Sequence, residues 1–288
     1  MNKVVFYNHF GAGDIYESRE FVKYWMKCFP TSSFYYAHGK DKEIIKDIPN
    51  ITSIEVTEIM HSMAMFVIDK DTIYINTWIG RDGRYVLPGI GCVVEKLYEM
   101  HSDMLSVLGL GTLPNQPHDY IPKINFEYYK TDTIDKFVKD REKIVLISNG
   151  PVQSCQAENF DLNAVVSLLC DEYKDITFVV TQGVDFEKDN LFTTSDIINK
   201  GMFDLNEIAY LGKSCKLIIG RNSGPQVFCQ NYDTWMDETK TIMSFTYKRI
   251  ASHFVYVNTL PANKVWSPNT ELQLVFSDIK EQMEKIYA

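Results

Sequence analysis

The chain has 288 residues, 45% hydrophobic, 23% charged and 13% aromatic, a composition that supplies a core and excludes a disordered protein. Lys plus Arg total 29 against 38 Asp plus Glu; the formal charge of -9, spread over both halves, argues against non-specific binding of duplex nucleic acid. No apolar run approaches the roughly 18 residues of a membrane span, and Met-Asn-Lys leads straight into a strand-like segment instead of a signal peptide, so a cytoplasmic protein is expected.

The pattern of apolar residues predicts a strand over Val4 to Phe10, a short Gly11-Ala12-Gly13 loop and a helix from Asp14 to Phe29, stopped by Pro30. Strands follow over Ser33 to Ala37 and Ile51 to Val56, then a hairpin or adjacent pair over Phe66 to Ile68 and Thr72 to Ile79, then a helix over Ile90 to Leu108. Gly109 to Pro122 carries three prolines and little periodicity and reads as a linker. The second half repeats the scheme. Strands are expected over Lys143 to Ser148, Ile176 to Thr181 and Lys216 to Gly220, with a short one at Asp196 to Ile198 and late ones at Ile242 to Phe245 and Phe254 to Val257. Helices are expected over Ala157 to Tyr173, over Leu205 to Lys213 behind a capping Asp204, from Pro225 to Cys229, and over Leu272 to Ile286.

Strands alternating with helices of this length imply parallel sheets, since the crossover helix covers the sheet face. The expected fold is α/β, two Rossmann-like domains facing a cleft. The N-terminal domain spans 1–122 and the C-terminal domain 123–288, with the terminal helix free to return to the N-terminal domain. Ligands in such sheets sit beyond the carboxyl ends of the strands, which directs attention to the loops 8–14, 148–156 and 220–226.

Arg221-Asn222-Ser223-Gly224-Pro225-Gln226 is the most informative loop. Ser223 suits a helix cap, Gly224 a close approach of backbone to ligand, and Pro225 a first helical turn. Such a helix start favours a phosphate, with Ser223 and Arg221 as added donors; a helix start without a ligand is the plainer alternative. Asn149-Gly150-Pro151-Val152-Gln153-Ser154 offers a second set of donors for a diphosphate, or an ordinary turn between strand and helix. Gly11-Ala12-Gly13-Asp14 begins like a dinucleotide fingerprint, but Tyr16 occupies the position that needs Gly or Ala, so NAD and FAD are disfavoured. Asp14 fits a helix N-cap and equally a carboxylate able to take a proton from an acceptor hydroxyl, with His9 as a second polar group beside it. Asp69-Lys70-Asp71 matches a loose metal-binding D-x-D pattern but reads better as a turn, since two carboxylates alone make a thin magnesium site. Trp78 and Arg81, with Asp82 and Arg84, follow a strand end and suit either an acceptor contact or a solvated loop. The six cysteines, Cys28, Cys92, Cys155, Cys170, Cys215 and Cys229, form no C-x-x-C pair, which favours free thiols over zinc or disulfides.

The run Asn8-His9-Phe10-Gly11-Ala12-Gly13-Asp14 with its helix ending at Pro30 resembles the opening of heptosyltransferase-type, GT-B fold glycosyltransferases of family nine. In the second half, Asp204-Leu205-Asn206-Glu207-Ile208-Ala209-Tyr210-Leu211 and Leu217 to Pro225 are similar to that family's helix and its Ser-Gly-Pro phosphate turn. The resemblance implies inverting, metal-independent transfer of a sugar from a nucleoside-diphosphate donor to an acceptor hydroxyl, with no cofactor. It implies a GT-B-like fold with 1–122 on the acceptor side and 123–288 on the donor side, Asp14 as base, and Ser223, Gly224 and Pro225 as the phosphate turn. Read from their loops, His9 joins Asp14 as a catalytic candidate, and Asn149, Gly150, Gln153, Ser154, Glu207, Arg221, Asn222 and Gln226 join the donor side. Glu207 would border the base and ribose together with Phe203 or Leu205, and Gly11, Gly13, Trp78 and Arg81 would line the acceptor side. No Lys follows Gly150, and Gln226 stands where the family has His or Asp, so the sugar and nucleotide stay open. The acceptor, whether saccharide, lipid, protein or nucleic acid, and the oligomeric state stay open too. Two alternatives remain: an epimerase or hydrolase of nucleotide sugars on the same fold, and a catalytically idle nucleotide-sugar-binding protein.

Overall fold

The computed structural model describes residues 1–57, 65–78, 93–153, 156–198, 203–247 and 260–287. The chain divides into two compact units, Met1–Asn125 and Phe126–Ala288.

The first unit is built on β1 (Lys3–Asn8), β2 (Ser33–His38), β3 (Ile51–Ile54), β4 (Phe66–Asp69) and β5 (Thr72–Asn76), in the order β3-β2-β1-β5-β4. β1 pairs in parallel with β2 and β5, and only the β4–β5 hairpin is antiparallel. Val4 to Asn8 are all buried, the continuous run expected of a central parallel strand covered on both faces. The expected Asp14 to Phe29 helix is two: α1 (Ala12–Glu17) and α2 (Arg19–Cys28), which meet at Ser18. Ser18 turns inward, its hydroxyl donating to Ile15 O at 2.8 Å and lying 2.7 Å from the Tyr36 hydroxyl, and this local bond competes with helix continuation. α2 buries Phe21, Val22 and Trp25, three positions on one helical face, and α3 (Val93–Val107) follows. Arg19, fully buried, pairs with the buried Asp47 and donates to Ile44 O at 2.6 Å. The Asp47 carboxylate also accepts from Asn125 N at 3.0 Å, fastening the end of the unit.

The second unit is a six-stranded, wholly parallel sheet in the order β11-β10-β9-β6-β7-β8. Its strands are β6 (Ile144–Ile147), β7 (Thr177–Val180), β8 (Leu191–Thr193), β9 (Leu217–Gly220), β10 (Thr241–Phe245) and β11 (Asn263–Ser267). Its helices are α4 (Asp132–Val138), α5 (Leu162–Glu172), α6 (Thr194–Ile198), α7 (Leu205–Gly212), α8 (Gly224–Cys229), α9 (Tyr232–Trp235) and α10 (Leu272–Tyr287). Alternation along the strands sorts the core into two layers. Val145, Ile147, Leu217 and Ile219 face α5 and α10, whereas Ile144, Leu146 and Ile218 face Ile208 and Leu211 of α7. The terminal helix α10 therefore packs within its own unit, Val275, Ile279 and Met283 against α5, and Tyr287 Oη reaches Ile144 O at 3.0 Å.

Two sequence expectations need correction. Asp196 to Ile198 is not a strand: β8 ends at Thr193, and Asp196 accepts from Thr193 N and Oγ1, starting α6 there. Gly109 to Pro122 is not a free link but a packed strap of the first unit, held by Tyr98 Oη to Leu113 O at 3.0 Å and by a turn at Pro117–Tyr120 in which Asp119 accepts from Gln116 N. Phe254 to Val257 lie outside the described residues. Cys170, Cys215 and Cys229 are buried free thiols and Cys28 is a half-buried one; Cys92 and Cys155 lie outside the described residues. No helix among the described residues is long and apolar enough to cross a membrane.

Candidate functional site

In the first unit the candidate residues collect where the parallel strands end. Asn8 closes β1, and its Oδ1 accepts from Phe10 N at 3.0 Å, turning the chain toward α1. Gly11 occupies the N-cap of α1, and Asp14, three residues on, returns its carboxylate to Gly11 N at 2.6 Å. Asp14 is thus the third residue of the helix and not its N-cap, and it caps from inside. A Cβ at residue 11 would stand 3.0 Å from Asp14 Oδ2, a contact that a small shift of the carboxylate would relieve. Burial pushes the Asp14 carboxyl up to about 6, against the opposing pull of the Gly11 N–H and of the Lys40 charge. At neutral pH the group is a carboxylate, close enough to its titration point to exchange a proton.

Around it stand His9, its ring 4.4 Å from that of Phe10, and Trp78, whose ring lies 6.0 Å from Phe10. Trp78 is placed by Asn76, which accepts from Trp78 N and donates to Trp78 O. His9, Gly11, Gly13, Asp14 and Trp78 therefore share the C-terminal edge of β1 and β5, while Arg81, Asp82 and Arg84 lie outside the described residues. Beneath this edge lies a buried hydroxyl cluster absent from the sequence reading: Tyr36 Oη is 2.7 Å from Ser18 Oγ and 2.8 Å from Thr77 Oγ1. Lys40 and His38, at the end of the neighbouring β2, were also missed; that both follow a parallel strand was the available signal. Asp69-Lys70-Asp71 forms the β4–β5 turn, where Asp71 O accepts from Asn2 N and Lys3 N at the start of β1. That turn is at the opposite end of the sheet from Asp14.

In the second unit the predicted donor residues also meet, at the ends of β6 and β9, but most are engaged with one another. Arg221, 2% exposed, donates to Phe160 O at 2.9 Å, Asn149 O at 2.7 Å and Gly150 O at 3.1 Å, its guanidinium lying over the Phe160 ring. Its two terminal nitrogens are thus engaged, and they clamp the β6 loop. Asn149 joins β6 to β7, its Oδ1 accepting from Gln182 N and its Nδ2 donating to Gln182 O and Asn163 Oδ1. Gln226 is fully buried, accepting from Asn222 N at 2.6 Å and donating to Met243 O at 2.7 Å, so it fixes the β9 loop to β10. Asn222 holds a left-handed φ of 52°, which Asn tolerates, with its carbonyl bonded by Gln156 and its side chain by Gln230. Glu207, in the first turn of α7, is fully buried, and the neighbouring Phe203 packs on Phe228 of α8.

Ser223, Gly224, Pro225 and Gln153 are left reachable. Ser223 takes the N-cap position of α8, yet its hydroxyl makes no capping bond, contrary to expectation, and stands 3.5 Å from Ser148 Oγ. The glycines of this edge differ in a telling way. A side chain on Gly150 would strike Gln182 at 2.6 Å and one on Gly220 would strike Gln226 at 2.7 Å, whereas at Gly224 it would meet only Leu205, at an ordinary 3.9 Å. Internal packing explains the first two and not the third. Gln153 is exposed, and Ser154 lies outside the described residues. Among the described residues no group of three or more His, Cys, Asp or Glu side chains is arranged to hold a metal.

No protein-family model matches the sequence, and no curated protein matches it. Solved structures do. E. coli heptosyltransferase WaaC with ADP aligns at a TM-score of 0.58 and 11% identity, over 99% of each chain. A glycosyl transferase family 9 structure from Veillonella parvula aligns at 0.54 and 14% identity, over 100% of this chain and 90% of that one. S. aureus MnaA with UDP aligns at 0.55 and 12%, over the same shares. The chain has the α/β fold of the GT-B glycosyltransferases, the fold of these solved heptosyltransferases.

Proposed function

We propose that this chain is a glycosyltransferase that moves a sugar from a nucleoside-diphosphate sugar to an acceptor hydroxyl, inverting the anomeric centre and requiring neither metal nor cofactor. The observation that carries the reading is Asp14: a half-buried carboxylate, raised to about 6, in the turn after the first strand of a heptosyltransferase-type fold. The acceptor oxygen bonds the anomeric carbon as the bond from that carbon to the diphosphate oxygen breaks. The electron pair leaves with the nucleoside diphosphate, and the acceptor proton passes to Asp14. The Ser223 hydroxyl and the unobstructed backbone at Gly224 are suited to receive the diphosphate, with Arg221, Asn149, Asn222 and Gln226 holding that loop in shape. His9 and Trp78 border the acceptor. The complexes of similar folds with ADP and with UDP support a nucleotide on the donor side without choosing the base.

The test is a thermal-shift panel of UDP, GDP, ADP, CDP and their sugar conjugates with and without magnesium, followed by acceptor screening with the donor that binds. A ligand at about 100 times its Kd raises stability by about 2.7 kcal/mol. Binding unaffected by magnesium, and product formed only with an acceptor, is the expected result. An isomer or free sugar formed from donor alone identifies the epimerase or hydrolase alternative, and binding without product across acceptors identifies an idle binder. No shift with any nucleotide overturns the donor site.

A further inference from the structure

A cavity of about 410 Å³ opens in the first unit between α2 and the strap that follows α3. It belongs to the opposite edge from Asp14: α2 runs back from the C-terminal edge and ends at Cys28 ahead of β2, and Ile48-Pro49, on the cavity wall, precede β3. Its walls are fixed. Lys23 Nζ donates to Lys123 O at 2.8 Å, Lys123 N donates to Glu20 Oε1 at 3.1 Å, and Asn125 beyond it is tied to the buried Asp47.

The cavity has an apolar side formed by Tyr24, Met26 and Ile48-Pro49. Its charges are unequal in availability. Glu20 is engaged by Lys23 at 2.7 Å and by the strap amide, and Asp119 accepts from Gln116 N within its own turn. Lys27, exposed and one helical turn beyond Lys23 on the same face, makes no hydrogen bond or ion pair with any described residue. Tyr120, 4% exposed, is fixed by stacking on Phe21 at 4.8 Å and forms part of the inner wall, its hydroxyl buried beside the main chain of Asn115.

We propose that this cavity is a binding site, separate from the transfer site, for a small carboxylate or phosphate ester carrying one ring. The acidic group lies against Lys27 and Lys23, and the ring lies against the apolar lining of Tyr24, Met26, Ile48 and Pro49. The volume falls within the usual range of small-ligand sites, and a free cation beside an apolar wall selects an amphipathic anion in a chain that is otherwise acidic.

The probes are 4-nitrobenzoate, 4-nitrophenyl phosphate and the uncharged 4-nitrobenzamide, titrated into full-length protein with 13C-methyl methionine, the Met26 signal being assigned with Met26→Leu. A saturable shift of the Met26 methyl is expected with at least one anion, at least tenfold tighter than with the amide; which anion binds decides between carboxylate and phosphate. Lys27→Glu should weaken the anion at least tenfold. No saturable shift with either anion, equal binding of the amide, or an affinity unchanged in Lys27→Glu overturns the proposal. The nucleotide thermal shifts are independent of all three results, so failure here and failure of the donor site are told apart.

Discussion

The two units end their parallel strands in loops of similar composition, yet use the polar residues differently. In the second unit Arg221, Asn149 and Gln226 are buried and bonded to backbone, so the loop is rigid and presents little besides Ser223 and Gly224. In the first unit Asp14 accepts from Gly11 N at 2.6 Å and has its carboxyl raised to about 6 by burial. One edge is preorganised to hold; the other retains a group able to accept a proton. The same alternation of strand and helix produces both because the sheet fixes only where loops emerge.

The sharpest way to break this contrast is Asp14→Asn. The amide can still accept from Gly11 N, so α1 should persist while turnover falls by about 10² to 10⁴-fold, the range for loss of a general base, with donor Kd unchanged. Loss of donor binding in that variant would remove the base assignment. The wild-type pH profile should rise through about pH 6 and level off above it, because the carboxylate is the active form. Stability carries the opposite sign. A folded-state pKa above the ordinary 3.8 means the folded chain binds the proton more tightly, so stability relative to Asp14→Asn should fall as pH rises from about 4 to about 6. Urea unfolding of both proteins across that window checks it.

Arg221→Met should cost about 3 kcal/mol of stability in the second unit by leaving the Phe160, Asn149 and Gly150 carbonyls without their charged donor. Arg221→Lys should not restore it, since one ammonium cannot reproduce the planar fork. Equal stability in denaturant titrations would return Arg221 to the role of a free donor. A smaller effect comes from the glycines. Gly220→Ala should destabilise by about 1 to 3 kcal/mol through the clash with Gln226, whereas Gly224→Ala should stay within about 0.5 kcal/mol of wild type and yet weaken nucleotide binding about tenfold. Unchanged nucleotide affinity in Gly224→Ala would free that position from any ligand. The least effect is expected for Ser223→Ala: about 1 kcal/mol on donor binding and none on folding, because its hydroxyl caps nothing.

Much of the architecture was legible in the sequence because burial on both faces leaves long apolar runs such as Val4 to Tyr7 and Ile144 to Ile147, and these marked the central strands. The short strand β8 and helix α6 were not legible, since Leu191 to Ile198 carries no full period of either kind and its turn is set by Asp196 bonding back to Thr193. The strap after α3 read as a linker because prolines and glycines signal irregular backbone equally well when it is packed and when it is free. At the site, Asp14 and the Ser223-Gly224 turn could be located from motif and strand end. Arg221 and Gln226 could not be sorted from them, because a residue type states what a side chain can donate and not what has already accepted it.

The sequence by itself determined the layering, the edges at which chemistry can stand, and the residue types present there, since apolar periodicity and turn chemistry are local properties of the chain. Only the tertiary structure decided which of those polar groups are committed. Arg221 is bonded through both terminal nitrogens to carbonyls some 60 to 70 residues away, Asn149 to Gln182, and Asp14 takes its raised pKa from burial. Desolvation and long-range hydrogen bonds depend on which segments pack together, and that separates an engaged arginine from an aspartate with a raised pKa.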